Sequence, residues 1–157
     1  MVVLAILWAD LRALESVFAR GEADAVQPGL VARRLLDAYR GPLLGTEDAP
    51  WIAKPRDALR ARFIRALVHL GAELERRAEW AGAIELYRRG LETDNLAEPL
   101  YRGLMRSLAA TGDRAEALNA VRRCRELPSI VLGVKPAAET ERMHQEIVAI
   151  ARGTPTS

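Results

Sequence analysis

The chain has 157 residues, half of them hydrophobic, 28% charged and 5% aromatic, and this length fits one domain able to bury a core without disulfide or metal staples. Lys and Arg total 23 against 21 Asp and Glu, a formal charge of +2, and all the basic residues but Lys54 and Lys135 are arginine. So even a balance disfavours a nucleic-acid footprint, which needs a basic excess clustered on one face.

Ala, Leu, Arg and Glu dominate and β-branched residues are sparse, which predicts an all-α fold. The opening run Met1–Ala9 is apolar but lacks a basic start and falls short of the roughly 20 residues of a spanning helix. Neither a signal peptide nor a membrane anchor is expected. Asp10 is placed to cap a first helix carrying Leu11, Leu14, Val17 and Phe18, with a stop across Gly21–Asp24. Pro28 suits the first turn of a second helix, to about Arg40, with Val31, Leu35, Leu36 and Tyr39 inward. Gly41-Pro42 ends it, and a loop follows to Pro50.

From Pro55 a long helix presents Leu59, Phe63, Leu67, Leu70 and Leu74 and ends near Arg77. The next, Trp80 to Glu92, buries Ala83, Ile84, Tyr87 and Leu91. Asp94 or Asn95 is expected to cap a helix with Leu100, Tyr101, Leu104 and Leu108, broken at Gly112-Asp113. Its partner holds Ala117, Leu118, Val121 and Cys124 and is expected to end at Pro128. Ile130–Val134 reads as a packed connector. A last helix, about Ala138 to Arg152, presents Met143, Ile147 and Ile150, and a disordered tail covers 153–157.

A shift of 34 residues overlays the chain on itself, with Leu67 on Tyr101, Leu70 on Leu104, Leu74 on Leu108 and Ala83 on Ala117. Arg88, Arg89 and Glu92 recur as Arg122, Arg123 and Glu126. That period belongs to tetratricopeptide repeats. The expected fold is a right-handed, tetratricopeptide-like superhelix of about seven antiparallel helices in one domain, 1–152, with clear repeats near 64–97 and 98–131. Two repeats are marginal alone, so the outer helices are read as caps. Small Ala83 and Ala117 permit close helix approach, and Cys124 falls in a small packing slot rather than at a nucleophile.

Chemistry is sparse. Cys124 is the only cysteine, which gives no disulfide framework and no cysteine zinc site and fits a reducing, cytoplasmic setting. No phosphate-cradling glycine motif or nucleophile elbow occurs, and His69 and His144 lie on different helices without metal-ligand spacing. Glu47-Asp48 reads as a solvated turn. Neither an enzyme nor a cofactor is expected. Helical repeats bind along the face of each repeat's first helix, which here carries Arg65, His69, Arg76, Arg102 and Arg106. The forked arginine donors suit carboxylates, so an acidic peptide or protein surface is the candidate ligand. The competing reading is that these arginines are solvated or paired with neighbouring Glu.

The runs Tyr39-Arg40-Gly41-Pro42-Leu43-Leu44, Trp51 and Leu59-Arg60-Ala61-Arg62-Phe63 resemble the bacterial transcriptional activator domain. So do Leu100-Tyr101-Arg102-Gly103-Leu104-Met105, Arg114-Ala115-Glu116-Ala117-Leu118 and Leu132-Gly133-Val134-Lys135-Pro136, ending with Glu139-Thr140. Trp8-Ala9-Asp10-Leu11 resembles the family's entry into its first helix, so the likeness spans about Trp8 to Ile150. The resemblance implies a module of large bacterial regulators, SARP-type activators included, that follows a winged-helix DNA-binding domain and supports oligomerisation or activating contacts. Its implied partners are neighbouring regulator domains, RNA polymerase or a second copy as a homodimer, with no specific DNA binding by these residues. The chain begins where a DNA reader would be finishing. The alternative is a free-standing repeat adaptor for an acidic surface. One departure bears on structure: Ala137-Ala138 stand where the family has Ser-Pro, and loss of a Ser N-cap costs about 1 kcal/mol.

Overall fold

The computed structural model describes residues 2–20, 26–39 and 50–153. They form seven helices and, among the described residues, no strand: α1 (Val2–Ala19), α2 (Pro28–Ala38), α3 (Pro50–Arg76), α4 (Trp80–Thr93), α5 (Glu98–Ala110), α6 (Arg114–Leu132) and α7 (Ala138–Ala151). Successive helices pack as antiparallel hairpins. The odd-numbered helices also pack on one another along one layer, as α2 does on α4 along the other. This is the all-α, tetratricopeptide-like architecture that the 34-residue period predicts. The stop at Gly21–Asp24, the loop over 40–49 with Glu47-Asp48, and residues 154–157 lie outside the described residues.

One apolar cluster runs through all seven helices, from Leu11 in α1 to Ile147 in α7. Tyr39 stacks on Phe63 with ring centroids 4.1 Å apart, which joins the end of α2 to α3. At the centre, Tyr87 of α4 enters between α3 and α5. A Cβ at either Gly71 or Gly103 would overlap its ring, so both helices need glycine there despite glycine's poor helix propensity. The buried ring contributes on the order of 2–3 kcal/mol. Its hydroxyl donates to Glu75 Oε1 at 2.7 Å, and Arg106 closes the network with two bonds to Glu75, at 3.1 and 3.2 Å. Burial and then the Glu75 hydrogen bond push the Tyr87 hydroxyl well above its ordinary pKa, so it stays protonated and donating.

Several sequence expectations need correction. Asp10 does not cap α1, because the apolar run before it is helical from Val2; its carboxylate instead receives a fork from Arg34 at 3.1 and 3.2 Å. α3 starts at Pro50 rather than Pro55, since the amide that proline lacks is one a helix start leaves unbonded. Asp94 and Asn95 do not cap α5; its N-cap is Ala97. The Asp94 carboxylate is taken by the Leu96 amide at 3.2 Å and by Arg60 at 2.6 and 2.7 Å. α6 runs through Pro128, because a proline removes one donor but leaves later residues free to stay helical. Gly133 ends that helix in the left-handed conformation (φ +66°), with its amide on the Ser129 carbonyl.

It follows that Ile130–Leu132 are helix and not connector, and Ile130, Val131, Leu132 and Val134 are exposed rather than packed. Arg122 and Arg123 accordingly sit in the middle of α6. In α7, Ile147 is buried and Met143 packs on the core, but Ile150 is exposed. Gly153 closes α7 in a turn at φ +73°.

Gly71→Ala and Gly103→Ala should each lower unfolding free energy by about 1–3 kcal/mol, the usual cost of overpacking. Gly82→Ala, whose Cβ meets only Leu74 methyls at 3.5 and 3.7 Å, should instead raise it by up to about 1 kcal/mol. Denaturant titration of the three variants tests this, and equal behaviour would remove Tyr87 as the reason for the two glycines.

Candidate partner-binding face

α3 and α5 lie side by side, which places the five singled-out residues on two neighbouring helices. Arg65 and His69, one turn apart on α3, border a hollow of about 310 Å³ whose other walls are Leu14, Glu15 and Ala19 of α1 and Ala66. Among the described residues Arg65 has no carboxylate partner. Farther along α3, Arg76 forks the buried Glu73 at 3.0 and 2.6 Å. Arg77 adds a bond to the same carboxylate at 2.7 Å and donates to the Val26 carbonyl at 3.1 Å, which ties α3 to the entry of α2. The Arg76 hydrogen bond leads, with Arg77 assisting, in holding the Glu73 carboxyl down at about 2 against the desolvation that opposes them.

Arg102 and Arg106 are four apart on α5 but serve different neighbours. Arg102 reaches α7, donating to Thr140 Oγ1 at 3.0 Å and pairing with Glu139 at 3.5 Å. Arg106 turns back to Glu75 of α3. The structure therefore brings Arg65 and His69 to one hollow, leaves Arg76 exposed over Glu73, and engages Arg102 and Arg106 in helix-to-helix contacts.

α7 is held in a related way. Its N-cap residue is Ala137, which offers no side-chain acceptor. Glu98, from the start of α5, supplies one instead: its Oε2 accepts from the Ala137 amide at 2.9 Å and from Thr140 Oγ1 at 2.7 Å. A carboxylate at a helix N-terminus satisfies an orphan donor and meets the positive end of the helix dipole. Cys124 is fully buried nearby, and burial pushes its thiol up to about 12, as suits a packing residue.

On the opposite layer α4 and α6 stand apart, leaving a cleft of about 230 Å³ floored by Tyr101 and Leu104. Arg88 pairs with Glu116 across it at 3.4 Å, and Arg89 pairs with Asp37 of α2 at 2.7 Å. Among the described residues no group of three or more His, Cys, Asp or Glu is placed to hold a metal. Nor is any helix among them long and apolar enough to cross a membrane.

A family model described as the bacterial transcriptional activator domain matches residues 9–148. The chain belongs to that family. It is a family of regulatory, transcriptional-activator-related domains rather than of enzymes. Comparison with curated proteins gives no match. Within this bacterial transcriptional activator domain, Glu73, Glu75 and Glu98 are the residues that motif reading missed. Glu73 carries a local signal, arginines three and four residues farther along its own helix, whereas Glu75 and Glu98 find their cation or amide only after helices pack. Gly71 and Gly103 did carry a signal, being glycines in the interior of strong helix patterns.

Glu73 makes the domain acid-sensitive in a defined window. Its folded-state carboxyl lies below the ordinary 4.5, so its contribution is complete above that pH and disappears as pH falls through about 2. Glu73→Gln should be less stable than the parent at pH 7 and lose less stability between pH 4.5 and 2. Circular dichroism of acid and denaturant titrations checks this, and an equal loss in both proteins would clear Glu73.

Proposed function

We propose that this domain is a protein–protein interaction module of a bacterial transcriptional regulator, working in the cytoplasm by contacts that raise the activity of an attached DNA-binding domain. The observation that carries the reading is Arg65, a guanidinium that among the described residues has no carboxylate partner, beside the apolar wall of Leu14, Ala19 and Ala66. Such a site suits an acidic side chain flanked by an apolar one. His69 lies at the same rim, and Arg76, farther along the same helix, is exposed while it holds Glu73. Arg102 and Arg106 join the face by exchanging Glu139 and Glu75 for the partner's carboxylates. Glu75 is mostly buried, so releasing Arg106 costs more than releasing Arg102 from exposed Glu139. The partners that fit are neighbouring regulator domains, RNA polymerase or another copy. A free-standing adaptor for acidic segments is the second reading, supported by the same arginines.

Affinity capture from the native cytoplasm, read by mass spectrometry, separates the two. The regulator reading expects regulator domains or polymerase subunits, with Arg65→Glu reducing capture by about tenfold and Arg65→Ala by less, both at unchanged helicity. Capture of unrelated acidic proteins alone favours the adaptor, and capture indifferent to both substitutions removes this face. These residues alone should give no sequence-dependent, salt-resistant shift of duplex DNA, and such a shift would overturn the assignment of partner class.

A further inference from the structure

The exposed side of α6 carries a row at four-residue spacing: Leu118, Arg122, Glu126 and Ile130. Residues so spaced form a ridge along a helix. The row reads apolar, positive, negative, apolar, and its reverse is apolar, negative, positive, apolar. It is therefore complementary to itself when a second helix runs antiparallel. Among the described residues neither charge has an ion-pair partner. Arg122 donates to the Asn119 carboxamide at 3.1 Å. Arg preceding Glu by four is also the weaker order for an intrahelical pair.

Of the apolar members, Leu118 is partly buried against the core and keeps one side toward the groove, whereas Ile130 is exposed. Ile130 is 78% exposed, and Leu118 and Ile130 line a groove of about 590 Å³ that Val121 of α6 and Val148 of α7 deepen. The helical tip past Pro128 exposes Val131 and Leu132 as well, on a part of α6 that the core does not reach. An apolar patch of this kind at the end of a stacked-helix protein is where a further helix is ordinarily needed.

We propose that this face binds a second copy of the same chain, two α6 helices crossing antiparallel about a two-fold axis near the level of Cys124. That axis sets Leu118 against Ile130 twice and Arg122 against Glu126 twice, as an isologous interface requires. Two such ridges interdigitate at a crossing of about 50°. The proposal rests on the reading of the domain as a contact module, but its surface is separate from Arg65 and Arg76, so the two fail independently.

Sedimentation of the chain should give a dimer of twice 17.3 kDa. Arg122→Glu or Glu126→Arg alone should weaken association by about tenfold, because each sets like charges together at two symmetric places. The combined variant should return to within about threefold of the parent. Ile130→Glu, at a site too exposed to affect folding, should give a monomer that still captures partners through Arg65 and Arg76. A parent chain that stays monomeric up to about 1 mM overturns the proposal, as does a dimer unmoved by Ile130→Glu. Failure of the double reversal to rescue the single ones overturns the antiparallel pairing.

Discussion

The fold depends on the insertion of one tyrosine. Tyr87 can reach the middle of the molecule only because α3 and α5 each omit a side chain where its ring passes. Once there, its hydroxyl needs an acceptor, since a buried unpaired hydroxyl costs about 1–3 kcal/mol. Glu75 answers that need and must itself be compensated, which is what Arg106 does. Three helices are thus fixed by a chain of consequences that starts with a close steric fit. Their spacing sets the layer of odd-numbered helices on which the arginine face lies.

Farther from this centre, polar contacts take a larger part in positioning. α7 buries only Thr140 and Ile147 fully, and its first turn is capped from α5 by Glu98. Arg102 binds the same Thr140 hydroxyl, so one end of α7 is held by a carboxylate and a guanidinium from a single neighbouring helix. At the other end of the stack, Arg34–Asp10 and Arg62–Glu15 link α1 to α2 and α3, and Arg62 also lies over the Trp8 ring at 4.5 Å. Charged side chains at these edges do the locating that apolar area does in the middle.

This division of labour governs the arginines. The excess of Arg over Lys is not one basic surface. Arg60, Arg76, Arg77 and Arg106 each hold a specific carboxylate, where a planar fork suits two oxygens better than an ammonium does. Arg65 stands apart from that pattern, and so does the self-complementary pair Arg122 and Glu126. Their positions differ: Arg65 borders the hollow between α1 and α3, and Arg122 and Glu126 lie on the exposed side of α6.

Helix type, number and repeat period were legible in the chain, because apolar spacing and the 34-residue self-similarity arise from local geometry that each helix imposes on its own sequence. The core residues from Leu59 to Cys124 followed for the same reason. Caps were legible only in part: Asp113 carries a capping side chain and does accept the Glu116 amide at the start of α6. Asp10 and Asp94 carry the right side chain for a cap, yet each is claimed by an arginine distant in sequence, whereas Ala137 carries none and is served by Glu98. Glu73 meets Arg76 and Arg77 at the three- and four-residue spacing of one helix, but the partners of Arg60, Arg102 and Arg106 were decided only when helices met. Such a partner depends on where another element places its carboxylate, and no spacing along one helix encodes that distance.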